Sequence, residues 1–374
     1  MSSAASTGLA TPTYVFIVRS DERCYGVSQN RRVHLLPDAI PAKKGDGMRC
    51  LVTGATGFVG SNLVRTLVQE GHQVLATGAP GSPTRYLDDL DIEVRLVDLL
   101  DRDRLPGLLT GQDWVFHVAG DTSTWTGLAQ RRRRVNIAAA DALAHAAVNA
   151  NVGKFVHTST VDVHGYNHDG SPLAEGFGDR SLLGIGYDYA DTKAAGEMAV
   201  LRHIARGLDV VVIYPGFMIG PFDHTLQFGR IIRSMQSGDV TFAPPGGASF
   251  CDVRSVARGM VSAAERGQCG EGYNLTGHNL TYYEVYLRTA KIVNSEHRPI
   301  KVPAPLLRCY GEIAAAASMF TRRAPDMDPG LAQYLSVPQA SDFSKAREHL
   351  GYEPGDVDRA IIDAAEWYDR NLPR

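Results

Sequence analysis

The chain has 374 residues, 44% of them hydrophobic and 21% charged, with a formal net charge of −3. The length exceeds what one hydrophobic core usually holds, so a large α/β domain with a smaller lobe is expected. The charge balance leaves no footprint for nucleic acid or an anionic membrane, and no run reaches the roughly 20 apolar residues of a membrane helix.

Residues 1–47 read as an extension outside the main fold. "MSSAASTGLATPT" has no apolar signal-peptide core, and Met48 directly precedes the first convincing strand, so an over-called start is one reading. Five cysteines (Cys24, Cys50, Cys251, Cys269 and Cys309) are scattered without a C-x-x-C pair, and histidines do not cluster at metal-ligand spacing. That pattern suits reduced thiols in a cytoplasmic protein and gives no metal site.

From Met48 the chain alternates strands and helices. "MRCLVTG" is a short apolar run ending in glycine, and "FVGSNLVRTLVQEG" follows with Val59, Leu63 and Leu67 at helical spacing. Between them, Gly54, Gly57 and Gly60 stand three residues apart. Such a turn lets the backbone approach a pyrophosphate, and the helix N-terminus offers free N–H groups to its oxygens. "HQVLATG" then ends at Thr77–Gly78 without the carboxylate that favours NAD, and the first cation is Arg85. NADP is therefore the preferred cofactor, with NAD the alternative.

The strands "IEVRLVDLL" and "DWVFHVAG" come next, then "RRRR" at Arg131–Arg134, expected to be a solvated helix start, and a helix around Val135–Ala150. "KFVHTST" is a further strand. "GYDYADTKAAGE" opens the next helix, and "LDVVVIYPG" closes the regular part. Apolar strands separated by amphipathic helices predict a Rossmann-type, doubly wound parallel sheet over 48–215. Residues 216–374 become richer in Gly, Pro and aromatics. They are expected to form mainly a smaller C-terminal substrate lobe, with some segments returning to the first domain and helices near Thr225–Ser237, Val253–Arg266, Tyr282–Val293 and Val357–Asn371.

In the motif helix only Tyr189 stands four residues before Lys193, so these two share a face, whereas Tyr187 is six away. A phenol with an ordinary pKa of about 10 is a poor proton donor at neutral pH, and a neighbouring ammonium lowers that value. The spacing thus suits carbonyl reduction by hydride, with Tyr189 giving the proton.

Taken in order, these landmarks resemble the extended short-chain dehydrogenase/reductase family, the group of NAD-dependent epimerases, dehydratases and dihydroflavonol-reductase-like enzymes. "TGATGFVG", "VDLLD", "HVAG", "RVNIAAAD", "HTSTVDVHG", "YADTK", "YPGFMIGP" and "FSKAREHLGYEP" carry the likeness from Met48 almost to the C-terminus. The resemblance implies a catalytic set of Thr160, Tyr189 and Lys193. It implies a pyrophosphate loop of Gly54, Thr56, Gly57, Phe58, Val59 and Gly60, with Asp98 and Leu99 at the adenine. Val118, Ala119, Gly120, Asn136, Thr158 and Pro215 complete the cofactor side, where Lys193 also reaches the nicotinamide ribose. A homodimer through the helices near Asn136 and Lys193 is implied in the same way.

Departures from the pattern narrow the substrate. Tyr214–Pro215 replaces Arg-Pro, Ser255 replaces an Asp, and Ala248 stands where sugar-nucleotide epimerases place an arginine on the diphosphate. Arg230, Arg233 or Arg254 could substitute for that arginine. Dehydratases of this kind carry two acids after the Thr; here only the second position, Asp162, is acidic. It is either a base at a carbon beside a ketone or a satisfied polar loop residue. Trp125, Tyr187 and Phe217 are candidate pocket walls. The expected function is an NAD(P)-dependent oxidoreductase acting on a ketone or secondary alcohol of a small to mid-sized metabolite. The alternatives are an NAD-retaining sugar epimerase or dehydratase, and a non-catalytic dinucleotide-sensing regulator.

Overall fold

The computed structural model describes residues 47–176, 187–321 and 324–372. The expected extension, apart from Gly47, lies outside the described residues, as does Gly186 of the motif. The first part of the chain runs β1 (Arg49–Thr53), α1 (Phe58–Gln69), β2 (Gln73–Gly78), β3 (Glu93–Leu96), α2 (Leu105–Leu109) and β4 (Trp114–His117). It continues with α3 (Ala129–Arg133), a π-helical stretch (Arg134–Ala139), α4 (Ala140–Asn149), β5 (Lys154–Thr158), α5 (Asp188–Leu201) and β6 (Val210–Pro215). The later part runs β7 (Phe217–Ile219), α6 (Gly229–Gln236), β8 (Phe242–Ala243), β9 (Gly247–Asp252), α7 (Val253–Arg266) and β10 (Gly272–Leu275). Then follow β11 (His278–Thr281), α8 (Tyr282–Ile292), β12 (Ile300–Lys301), α9 (Ala304–Thr321), α10 (Pro329–Tyr334), α11 (Ser344–Leu350) and α12 (Val357–Asn371).

Seven strands form one sheet in the order β10-β6-β5-β4-β1-β2-β3, and every pairing in it is parallel. The chain order reverses between β1 and β4, and in open α/β sheets ligands bind outside the strand C-termini at such a reversal. Alternate residues of each strand face opposite cores. Cys50 and Val52 join Phe116, Val211 and Ile213 against α1, α7 and α11. Leu51 joins Val115, Val210 and Val212 against α2, α4 and α5. Strands buried on both faces must be apolar throughout, which is why these runs read so clearly.

The later segments build a three-stranded sheet, β11-β9-β7, and a separate aromatic core of Phe228, Phe250, Tyr282, Tyr286 and Tyr368. Parts of this stretch lie on the main sheet: β10 pairs with β6, and α7 packs against it. The helix expected from Thr225 begins only at Gly229, because the Asp223 carboxylate accepts the N–H groups of Gln227, Phe228 and Gly229 and organises the preceding turn. Helix α9 had no counterpart in the periodicity reading, since its alanines blur any apolar stripe. No described helix is long and apolar enough to cross a membrane.

Helix α5 lies against the π-helical stretch at unusually close range. A Cβ on Gly196 would stand 2.0 Å from the Asn136 carbonyl oxygen. Gly196→Ala must push the two segments apart, and it is expected to cost about 2 kcal/mol of stability in urea unfolding. A loss below about 0.5 kcal/mol, the size of an indifferent surface change, would contradict the close contact.

Candidate active site

The site assembles at the C-terminal ends of β1, β4 and β5. Gly54 has φ +66°, and a Cβ there would stand 2.7 Å from the Ala119 nitrogen. A Cβ on Gly60 would stand 2.1 Å from the Gly54 oxygen. The turn after β1 is thereby pressed against the Val118–Gly120 segment and against its own helix. Helix α1 starts at Phe58 and Val59 behind Gly57, with no side-chain cap and no acid in its first turn. Its leading N–H groups are therefore left for an anion.

Thr56 sits under the end of β2, its Oγ1 2.8 Å from where a Gly78 Cβ would be. The exposed Asp98 accepts the Leu100 N–H, while Leu99 is buried in the core. Arg85 is exposed, donates to the Tyr86 hydroxyl at 2.6 Å and lies over that ring. Thr158 Oγ1, at the end of β5, is buried with no hydrogen-bond partner. A glycine cradle, an uncapped helix end and an orphaned hydroxyl fit a dinucleotide laid across the strand ends.

Thr160, Tyr189 and Lys193 come together beside this cradle. Thr160 follows β5 and caps the short 3-10 turn Val161–His164. Tyr189, half-buried in the first turn of α5, hydrogen-bonds with Thr160. Lys193 is buried one turn later and donates to the Thr158 carbonyl. Its nitrogen also lies 3.7 Å from a Gly120 Cβ position, on the cofactor side.

The electrostatics depart from the sequence expectation. Burial, followed by Asp162, pushes the Tyr189 phenol above its ordinary value, and only the Thr160 hydrogen bond pulls it down. Lys193 acts elsewhere. Its own pKa is pushed down to about 8 by burial, with Glu197 pulling upward, and its charge disfavours protonation of the buried His117 and His157. One turn further along α5, Glu197 accepts hydrogen bonds from Ser159 and from Tyr214, the residue that replaces the usual arginine of β6.

Asn136 is buried and serves as a tie. Its amide oxygen accepts the Asp121 N–H at 2.7 Å, and its nitrogen donates to the Asp121 carbonyl and to Thr192 Oγ1. The π-helical stretch carries Asn136, and such local widening re-aims one side chain without ending the helix.

The arginine run is not a solvated helix start throughout. Arg133 and Arg134 are exposed, and Arg131 pairs with Asp121, but Arg132 has no exposed surface. Its guanidinium donates to the carbonyls of Ser123 and Trp125 and to the Asp188 carboxylate. It thus binds the Trp125 loop to the start of α5, one residue before Tyr189. No charge pattern flags this, because four arginines in a row look identical in sequence and only the helix phase turns one inward.

Of the expected pocket walls, Tyr187 is buried and stacks on Tyr334 of α10 with ring centres 4.4 Å apart. Phe217 packs among Phe228, Phe250 and Tyr282. Trp125 is half-buried and folds over Gly127. Asp162 is buried, and its carboxylate accepts from Tyr334 at 3.2 Å and Tyr187 at 3.5 Å. Tyr334 and Tyr282, contributed by later segments, had no motif to announce them.

The depressed Lys193 value sets a pH dependence. Its folded pKa lies below the unfolded one, so the native state releases this proton first and stability rises with pH above 8. Between pH 8 and pH 9.5, wild type is expected to gain on the order of 1 kcal/mol relative to Lys193→Met in chemical unfolding. Parallel pH profiles for the two proteins would contradict the buried ammonium.

The NAD dependent epimerase/dehydratase family matches residues 50–276. Sterol demethylase protein B from Methylococcus capsulatus is 30% identical over 324 residues, covering 86% of this chain and 98% of the relative. A 4-hydroxy-2-methyl-3-oxo-4-farnesyl-3,4-dihydroquinoline-1-oxide ketoreductase from Stigmatella aurantiaca is 31% identical, covering 82% of this chain and 92% of its own. Among solved structures, a nucleoside-diphosphate-sugar epimerase from Pseudomonas aeruginosa superposes with TM-score 0.71 at 25% identity, covering 87% of this chain and 98% of that one. The parallel strand order agrees with these likenesses, and the chain belongs to the NAD-dependent epimerase/dehydratase family, the extended short-chain dehydrogenase/reductases.

Proposed function

We propose that this NAD(P)-dependent oxidoreductase interconverts a ketone and a secondary alcohol on a mostly apolar ring frame, such as a sterol. The observation that carries the reading is the grouping of Thr160, Tyr189 and Lys193 beside the cradle, faced by the aromatic side chains of Tyr187, Tyr282 and Tyr334. The dinucleotide supplies or accepts the hydride. Thr160 orients the substrate oxygen, and Tyr189 gives or takes its proton. Lys193, released from the Thr158 carbonyl, holds the nicotinamide ribose and lowers the Tyr189 pKa. Gly54, Thr56, Gly57, Phe58, Val59 and Gly60 hold the pyrophosphate, with Asp98 and Leu99 on the adenine side. Val118, Ala119, Gly120, Thr158 and Pro215 border the nicotinamide, and Asn136 supports that border.

A diphosphate-bearing substrate fits less well. Ala248 supplies no cation, Arg233 is engaged by Asp369 and two backbone carbonyls, and Arg254 by Asp252 and Asp363. Of the substitutes considered, only the exposed Arg230 has no such engagement among the described residues. The names of the sterol and farnesyl-quinoline relatives point the same way, toward bulky apolar frames. A cytoplasmic setting is supported by the four described cysteines, all free thiols.

With cholestanone as the probe ketone, Tyr189→Phe is expected to lower turnover by about a thousandfold while the cofactor still binds. Near-normal turnover in that variant would remove Tyr189 from the chemistry. The cofactor preference follows from the end of β2, where Gly78 carries no acid. NADPH is expected to give a kcat/KM about tenfold above NADH, the size of one lost phosphate contact, and Arg85→Ala to erase the gap. Equal efficiency in wild type, or a preference for NADH, would overturn the NADP assignment.

A further inference from the structure

Single apolar side chains on a protein surface are ordinary, whereas a gathered patch of them marks an interaction site. Ten large hydrophobic side chains are exposed among the described residues, and eight of them lie on 240–242 and 300–320. Phe242 of β8 and Ile300 of β12 are register partners, so their exposed side chains share one face of that two-stranded ribbon. Only Val302 and Pro303 separate β12 from α9, where Ile313 is 63% exposed and Phe320 87%.

Helix α9 is apolar on two faces. Leu307 and Gly311 are buried on the side that packs against α10, where a Cβ on Gly311 would stand 3.1 Å from that of Ala332. On the other side Leu306, Tyr310, Ile313, Ala317 and Phe320 recur at alternating spacings of four and three residues, and all five are exposed. Positive charge accompanies this stripe. From Arg298 to Arg323 the sequence holds five lysines and arginines against one acid, Glu312, and Arg298, Lys301 and Arg308 are exposed. The whole-chain balance of −3, which left no footprint for an anionic membrane, averages this segment away.

We propose that the bare face of α9, together with the Phe242–Ile300 ribbon, docks the protein on the surface of a bilayer containing anionic phospholipid. The apolar stripe enters the boundary between headgroups and acyl chains, and the accompanying cations meet the phosphates. The helix lies along the surface and does not cross it, since no described helix is long and apolar enough to span and α10 occupies the opposite face of α9. A second copy of this chain is the poorer occupant. A two-fold contact sets a patch against itself, so the cations of one stripe would face those of the other. The docking rests on this surface alone and not on the ketone–alcohol reading. Taken with that reading it has a consequence: α10 brings Tyr334 to Tyr187 and Asp162, so the pocket wall stands one helix away from the phase in which an apolar ketone dissolves.

The test sediments the full chain with vesicles of phosphatidylcholine, alone or mixed with phosphatidylglycerol. Wild type is expected to bind the mixed vesicles about tenfold more strongly than phosphatidylcholine alone at low salt, and to lose that excess at high salt. Ile313→Asp/Phe320→Asp is expected to weaken binding to the mixed vesicles about a hundredfold, while Ile313→Leu/Phe320→Leu keeps it. Hydrogen exchange of wild type locates the contact without any substitution: exchange in 304–321 should slow when mixed vesicles are added. Wild type left in the supernatant with both kinds of vesicle, binding indifferent to phosphatidylglycerol, undiminished binding by the aspartate variant, or slowed exchange only elsewhere overturns the proposal. So does light scattering that finds wild type dimeric without vesicles and the aspartate variant monomeric, which would assign the stripe to a second copy.

Discussion

The contact between α5 and the π-helical stretch governs the rest of the site. Gly196 lets the two backbones touch, and Asn136 on the opposing segment holds both the strand end after β4 and Thr192 of α5. That contact sets the height and rotation of α5 over the sheet. Tyr189, Lys193 and Glu197 lie on successive turns of this helix, so their positions relative to β5 and β6 follow from it. A side chain at Gly196 would disturb all three side chains together.

Around that contact the protein keeps charge away from water. Lys193 rests on a carbonyl, Arg132 on two carbonyls and Asp188, and Asp162 on hydroxyls. Burial of this kind is costly, and it shifts pKa values in proportion to how poorly each group is compensated. Arg132, with acceptors on both terminal nitrogens, acts as a structural pin between the Trp125 loop and α5. Lys193 and Asp162, less fully compensated, are the groups whose proton affinities move toward neutrality. Groups perturbed in this way cluster at functional sites.

The Rossmann-type sheet was legible because its strands are buried on both faces and its glycine turn has a backbone reason for each glycine. Tyr189 and Lys193 were legible because helical spacing alone makes them neighbours. Arg132 was not, since its burial depends on helix phase, and a π-helical stretch directly downstream cannot be seen in periodicity. Nor could sequence reveal that burial raises the Tyr189 phenol while Lys193 turns to Thr158. The Tyr334 and Tyr282 side of the site comes from segments more than eighty residues beyond α5, where aromatic residues are common and no spacing sets two apart.

In the proposed reaction a hydride crosses from the cradle beside β1 to a carbonyl under Tyr189 and leaves with the product. Reduction of cholestanone with NADPH carrying deuterium at the transferable nicotinamide position tests it most directly. One deuterium in each product molecule, at the carbinol carbon, with one NADPH oxidised for each, is the expected result. Product without deuterium, or turnover with no net change in cofactor, would rule out net hydride transfer and return the site to an enzyme that keeps its hydride.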